Sequence, residues 1–445
     1  MLAIETLSWM EMQRLSEPMA LTRTVTQLGI KDHDAVRFSR KLVSETVRRR
    51  NFIDTFIDRA IAPTSIEQFS FGVQAFLRLY LYQTRIAKEW ANPDVDEAKR
   101  IVRLARSILG WKSLQQVEPF LGRMLTQPPA VIFENVNDEK RIALRTFHPE
   151  WFVDYCFKLL GRAEAVKMLE ANVGPLPTYV RLNTLRGGED EVLSGLLQDH
   201  ITLEKDSQLK FTYRITGSKQ PLTKTSSYRQ GFFYIQDKAS CFAAEAANPQ
   251  PGMTVIDVCA APGAKTTYIA QLMRNRGAMY SLDYSIRRMK VWKNEIERMG
   301  VEIAQPMIVD ARKALPFDDE VDLVVLDPPC TSTGTFRKLP SAKWRITPRS
   351  IERMTGIQWR LLNACVEHVK TGGKLVYATC SITLEENEML VEKFLKWNPD
   401  FSLFEISPEI GLPGFRGLTE CRRLYPHIHE CNGFFIAKLV RNKRA

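Results

Sequence analysis

The sequence predicts an α/β protein in which a largely parallel sheet, covered by helices on both faces, follows an all-α region and a small α+β unit. Three observations carry this. From Thr254 onward, apolar β-type runs alternate with longer helical segments, the pattern of right-handed βαβ units. From Lys31 to about Leu125 the apolar residues instead recur every three and four positions. Between the two regions Pro128-Pro129 interrupts the helical pattern, and after His148-Pro149-Glu150-Trp151 the character becomes mixed. The 445 residues are therefore read as three segments, 1–145, 146–235 and 236–445.

The helical faces come first, with Phe38, Leu42, Val43 and Val47, then Phe52, Phe56 and Ile57, then Phe76, Leu77, Tyr80 and Leu81. YVRLNTL (179–185) reads as a strand, 190–198 as a helix, and the polar stretch 217–231 as loop. In the last segment TVIDVCA, AMYSLDY, IAQPMIVD, VDLVVLD and KLVYATC read as strands, separated by helices such as SIRRMKVWKNEIERM. A terminal hairpin ends in GFFIAKLV. Ligands of such sheets sit at the carboxyl ends of the strands.

With 62 Lys+Arg against 51 Asp+Glu the formal charge is +11, a field that attracts polyanions and makes a nucleic acid the leading partner. Basic groups at Arg48 to Arg50, Arg337 to Arg345 and Arg441 to Arg444 are its candidate contacts, with Trp344 placed to stack on an unpaired base. No run approaches the roughly 18 apolar residues of a membrane span, and Glu5 and Glu11 stand where a secretory signal needs a basic start, so a cytoplasmic protein without membrane contact is expected. Eight dispersed cysteines do not form a disulfide framework. Cys156, Cys241 and Cys365 are read as buried apolar side chains. Cys421, His427, His429 and Cys431 offer four zinc ligands, but their spacing fits no common structural zinc pattern. A strand putting His427, His429 and Cys431 on one face is preferred, and no metal is expected.

The turn Cys259-Ala260-Ala261-Pro262-Gly263-Ala264-Lys265 follows a strand and opens a helix, where backbone amides meet a ligand. It lacks the glycines of a phosphate loop and of a dinucleotide fingerprint. Asp283 ends the next strand, where a carboxylate takes ribose hydroxyls, with Arg288 on the following helix; Asp310 ends the third and suits an adenine amine. Acids at successive strand ends beside a loop poorly suited to phosphate fit an adenosine without phosphates, such as S-adenosylmethionine.

Asp327 and Cys330, in D-P-P-C, follow one strand, and Cys380 ends another. Carbon 5 of a pyrimidine attacks a sulfonium methyl only after a thiolate adds at carbon 6, so this chemistry demands a cysteine. Lys265 is a candidate for lowering the thiol pKa. Asp327, counted with both the catalytic and the cofactor-binding sets, suits the ring nitrogen at position 3, and Cys330 can assist departure of the product. Methyltransferases of exocyclic amines carry an aromatic residue where Cys330 stands.

These residues resemble the RNA 5-methylcytosine methyltransferases of the Sun/Fmu and Nop2 superfamily. The resemblance covers DVCAAPGAKT (257–266), LDYSIRRM (282–289), DPPCTSTGTFRKLP (327–340), YATCSITLEENE (377–388) and NGFFIAKL (432–439), and upstream VRLNTLR (180–186) and GFFYIQDKAS (231–240). It implies a Rossmann-like methyltransferase domain with S-adenosylmethionine as cofactor, the covalent adduct on Cys380 and product release aided by Cys330. FLRLYLYQ (76–83) and FHPEWFV (147–153) are similar to the NusB-like RNA-binding domain of the Sun branch. Ala264, Ser332 and Ser341 depart from the family's Gly, Gly and Asp. Ribosomal RNA is the implied substrate and a monomer the implied state. The alternatives are a transfer RNA and a non-catalytic ribosome-assembly factor that binds RNA, the latter opposed by the intact pair of cysteines.

Overall fold

The computed structural model describes residues 1–174, 176–316 and 319–443. They form two compact units, 1–173 with 336–345 and 174–335 with 346–445. Among the described residues no helix is long and apolar enough to cross a membrane.

The first unit is helical. Phe56, Ile57, Phe76, Leu77 and Tyr80 are its fully buried centre, joined by Val43 and Val47. Helix Phe71–Thr84 is buried on nearly every side, which its apolar sequence permits. Arg78 is buried with it and is paired with Asp54 at 2.7 Å and Glu11 at 3.2 Å, as a charge removed from water requires. Phe38, read as part of an inward face, is 59% exposed.

Residues 336–345 complete this unit. Phe336 packs on Phe152 with ring centroids 4.8 Å apart. Lys343 Nζ donates to the carbonyls of Phe147 at 2.6 Å and Arg48 at 3.1 Å, Arg337 Nη1 to that of Ala171 at 3.0 Å, and Trp344 Nε1 to that of Val47 at 2.7 Å. These carbonyls lie at the ends of helices His33–Arg48, Asp138–Thr146 and Arg162–Ala171, where a helix has no N–H donors of its own left for its last carbonyls. The Trp344 indole, read in the sequence as a base-stacking candidate, is anchored by its bond to the Val47 carbonyl and lies half-buried against the helical core. Arg48 and Arg49 share Glu45, and Arg50 pairs with Glu11 at 2.9 Å. Of the third basic group, Arg441 pairs with Glu320 and Asp400, and Arg444 lies outside the described residues.

The second unit begins with a four-stranded antiparallel sheet of β1 (Tyr179–Leu182), β2 (Ile201–Lys205), β3 (Thr212–Ser218) and β4 (Phe233–Ile235), in order β2-β3-β1-β4. Val180, Leu182 and Phe233 face Val192 and Leu196 of helix Glu189–Gln198. Directly after β1, Asn183 Nδ2 donates to the carbonyls of Gly231 and Met299, both at 2.8 Å, while its backbone amide donates to the Phe232 carbonyl at 2.8 Å.

The large sheet follows, with β5 (Thr254–Val258), β6 (Ala278–Asp283), β7 (Ala304–Ile308), β8 (Val321–Leu326), β9 (Val369–Thr379), β10 (Phe401–Leu403), β11 (Leu412–Pro413), β12 (Arg422–Leu424) and β13 (Phe434–Arg441). Its order is β11-β12-β13-β9-β8-β5-β6-β7, with β10 on β13. β7 through β9 are parallel and β13 enters antiparallel beside β9. Val255, Leu323 and Val376 face one core and Ile256, Val324 and Leu375 the other, the alternation of a sheet covered on both sides. Helix Ile286–Met299 shows how the sequence directs this packing. Ser285 caps its start, Gly300 at φ +70° ends it, and Met289, Trp292, Ile296 and Met299 form the buried stripe.

Two boundaries are corrected. β7 ends at Ile308, so Asp310 lies beyond the strand. Pro426–His429 is a helix, as a proline at a helix start permits, so His427, His429 and Cys431 do not alternate along a strand.

Candidate active site

The residues singled out in the sequence gather at the carboxyl ends of β5, β6, β8 and β9. The turn after β5 places Cys259 at φ +67° and Gly263 at φ +111°, and helix Ala264–Leu272 starts directly behind it. Arg181 of β1 holds that start: its guanidinium, fully buried, donates to the Ala264 carbonyl at 3.2 Å and to Thr267 Oγ1 at 2.9 Å. Burial lowers its pKa to about 10. Beneath the turn, burial raises Asp257 to about 7, against the hydrogen bond it accepts from Thr266 Oγ1 at 2.5 Å.

A cavity of about 310 Å³ opens beside this turn, lined by Cys259, Asp283, Arg288, Asp310, Pro329 and Leu361 among others. Asp283 Oδ1 accepts from the Ser285 amide at 3.0 Å, whereas Oδ2 is buried and has no hydrogen-bond donor. Arg288 Nη1 lies 2.9 Å from that oxygen as an ion pair, and its Nη2 donates to the Ala261 carbonyl. Arg288 thus ties the turn to the acid. A carboxylate on the cavity wall is a suitable acceptor for a ligand that brings hydroxyl groups. Asp310 also lines the cavity but is paired with Arg312, whose hydrogen bonds hold it at about 2. Of the turn, Cys259 reaches the cavity wall; Ala260, Ala261, Pro262 and Gly263 shape the bend, and Lys265 points elsewhere.

Lys265 Nζ donates to Asp327 Oδ2 at 2.5 Å and to Ser240 Oγ at 3.4 Å. Burial opposes its charge, but Asp327 more than offsets this and holds the ammonium above its ordinary range. Asp327 leads through Pro329 to Cys330, whose sulfur lies 3.1 Å from that of Cys380 at the end of β9. A hydrogen bond from the Cys330 thiol draws Cys380 below the usual thiol range against the effect of burial, with help from Ser332 and Lys265. Donating that bond, together with burial, pushes Cys330 well up. The pair therefore divides into an ionisable sulfur, Cys380, and a proton donor, Cys330. Cys156, Cys241 and Cys365 are fully buried, as their sequence context suggested.

Several residues at this site had no role in the sequence reading. Glu386 is completely buried and accepts from the Thr331 amide at 2.8 Å, Thr331 Oγ1, Ser381 Oγ at 2.6 Å, Thr383 Oγ1 at 2.8 Å and Gln358 Nε2 at 2.8 Å. One carboxylate thus fixes the loops carrying both cysteines. Glu388, also buried, forms a double hydrogen bond with Arg423, which in turn reaches the Ile382 carbonyl at 2.9 Å. The signal available in the sequence was a pair of acids close behind a run of hydroxyl residues in SITLEENE. Finally, Gly334 N donates to the Cys380 carbonyl at 3.0 Å and the Gly334 carbonyl accepts from Gly433 N at 2.9 Å, so two glycines bring three loops together.

Comparison with known proteins adds the family. Residues 244–440 match the family described as 16S rRNA methyltransferase RsmB/F, and residues 148–217 match the ferredoxin-like domain described for the RsmF/B-like methyltransferases. A Synechocystis protein named "Probable ribosomal RNA small subunit methyltransferase B" is 30% identical over 430 residues, covering 91% of each chain. The 25S rRNA (cytosine-C(5))-methyltransferase nop2 of Schizosaccharomyces pombe is 34% identical over 312 residues, which are 66% of this chain and 51% of that protein. The crystal structure of PH0851 superposes with a TM-score of 0.79 at 29% identity, covering 99% of this chain and 97% of the other.

Proposed function

Because this chain belongs to the 16S rRNA methyltransferase RsmB/F family, we propose that it methylates carbon 5 of a cytosine in ribosomal RNA, with S-adenosylmethionine as methyl donor and a transient bond between Cys380 and carbon 6. The observation that carries this reading is the sulfur pair, 3.1 Å apart, brought together from the ends of two neighbouring parallel strands, with Cys380 drawn below and Cys330 pushed above the usual thiol range. When bound, S-adenosylmethionine supplies an electrophilic methyl group. Asp283 would accept from its ribose hydroxyls, Asp310 would take the adenine amine, and the turn from Cys259 to Lys265 would hold the amino-acid end.

Cys380 adds to carbon 6 as the thiolate, and the displaced ring electrons make carbon 5 nucleophilic. The charge that reaches the ring is offset at nitrogen 3 by a proton that the Lys265 ammonium passes through the Asp327 carboxylate to which it is hydrogen-bonded. After carbon 5 has taken the methyl group, a solvent water accepts its proton, the bond from carbon 6 to sulfur breaks with its electron pair returning to Cys380, and nitrogen 3 gives its proton back through Asp327 to Lys265. The Cys330 thiol, already aimed at that sulfur, stabilises it as it leaves. The cytosine must be unstacked, because the thiol approaches the ring face that a duplex covers. The helical unit and the small sheet hold the flanking RNA through its phosphates.

Labelled S-adenosylmethionine, ribosomal RNA and denaturing gels test this. Cys380→Ala abolishes both methyl transfer and the protein–RNA adduct, whereas Cys330→Ala accumulates the adduct because its formation precedes the impaired step. Adduct in Cys380→Ala and none in Cys330→Ala would reverse the two roles, and label found only in transfer RNA would overturn the substrate.

A further inference from the structure

We propose that Ser332 is a catalytic residue of this chain, its hydroxyl donating a hydrogen bond to the Cys380 sulfur while that sulfur carries negative charge. The inference rests on the reading of Cys380 as nucleophile. Cys380 Sγ, as a thiol, donates to Ser332 Oγ at 3.4 Å, and Cys330 Sγ lies 3.9 Å from the same oxygen, so the hydroxyl and the two sulfurs form a closed triangle in which loss of the Cys380 proton turns the hydroxyl into the donor. The backbone at Ser332 has φ +58°, a conformation that side chains with a Cβ rarely adopt and that glycine takes freely. Among the described residues, the reactive atoms that the Ser332 hydroxyl contacts are the two sulfurs.

The turn that aims the hydroxyl is rigid. The Ser332 carbonyl accepts from both the amide and Oγ1 of Thr335, each at 2.9 Å, and the preceding residue, Thr331, is held by Glu386. The charged and titratable groups facing Cys380 come from three elements. The loop after β8 brings the Cys330 thiol, which favours the thiolate, and the Asp327 carboxylate, which opposes it; helix Ala264–Leu272 brings the Lys265 ammonium, which favours it; and Glu386 acts on Cys330. Lys265 is engaged by Asp327 at 2.5 Å, so direct donation to the Cys380 sulfur falls to Cys330 and Ser332. Ser332 serves the same charge twice, before addition to carbon 6 and again when the bond breaks.

The test is the pH dependence of iodoacetamide alkylation at Cys380, followed by mass spectrometry of its peptide in the wild type, Ser332→Gly and Ser332→Ala. Loss of the hydroxyl raises the apparent pKa of Cys380 by about half a unit to one unit in both variants, and the acidic limb of the methylation rate profile moves with it. Ser332→Gly relieves the backbone, so its melting temperature is no lower than that of the wild type. An unshifted pKa in Ser332→Gly overturns the proposal, whether or not Ser332→Ala shifts, because glycine removes the hydroxyl without the strain. A shifted pKa combined with an RNA adduct that survives Cys380→Ala would leave the hydrogen bond standing and remove Cys380 as nucleophile, which separates the two failures.

Discussion

At Asp283, one carboxylate oxygen is satisfied by a backbone amide and the other faces the cavity with only an ion pair beside it. Removing it deprives a ribose of an acceptor while leaving the strand intact. Asp283→Ala is expected to weaken S-adenosylmethionine about ten- to a hundredfold, the equivalent of about 1.5–3 kcal/mol for hydrogen bonds to a charged group; unchanged affinity by calorimetry would exclude it as the ribose ligand. The placement of Asp283 on the cavity wall was legible in the sequence because it ends a strand. The meeting of Cys330 and Cys380 was legible for a different reason: both follow neighbouring strands at their carboxyl ends. Glu386 was not legible, since its role comes from donors contributed by three separate segments. Glu386→Ala removes the acceptor that Thr331, Ser381, Thr383 and Gln358 share, and a loss of roughly 2–5 kcal/mol is expected, read from denaturant midpoints.

Elements meet at this site through their loops, and the tightest junction is between Gly334 and Gly433. A Cβ on Gly334 would lie 2.1 Å from the Gly433 carbonyl oxygen, a backbone atom that cannot turn aside. Gly334→Ala therefore displaces the loop carrying Cys330, and it is expected to cost at least a hundredfold in methylation while S-adenosylmethionine binding, measured separately, stays within a few fold. In the helical unit His148 is buried among Phe152 and Phe336. Burial, aided by Lys343, holds its pKa well below 6.5. The folded protein then binds fewer protons than the unfolded chain below about pH 6.5, so stability falls as pH drops from there. Melting temperatures between pH 7 and pH 5 should show this decline, and His148→Phe should flatten it. The existence of most helices and strands was readable from period alone. Their ends were less so: β7 stops short of Asp310, and Pro426–His429 coils where alternation suggested a strand. In both places short-range turn chemistry outweighs the apolar pattern.

Across the whole molecule the excess of 62 cationic over 51 acidic side chains sets how it meets RNA. Affinity should fall steeply with salt, with a log–log slope of about −0.7 for each phosphate neutralised on a single strand; a flat dependence would remove phosphate contacts from the account. Many of the arginines that seemed available for this in the sequence are committed internally, as Arg48, Arg49, Arg337 and Arg441 show. That could not be read from the chain, because the partners of 336–345 lie far back in it. The same distance has a consequence for biosynthesis. The ribosome releases the helices up to Val173 long before it reaches Phe336, and at about 5–20 residues per second the roughly 160 intervening residues take about 8–30 seconds. For that interval the nascent helices expose the apolar seat of Phe336 and the bare carbonyls that Arg337, Lys343 and Trp344 later occupy. The earliest-made part of the chain is thus finished by one of its later parts, and a chaperone acting during translation has a defined surface to shield until it arrives.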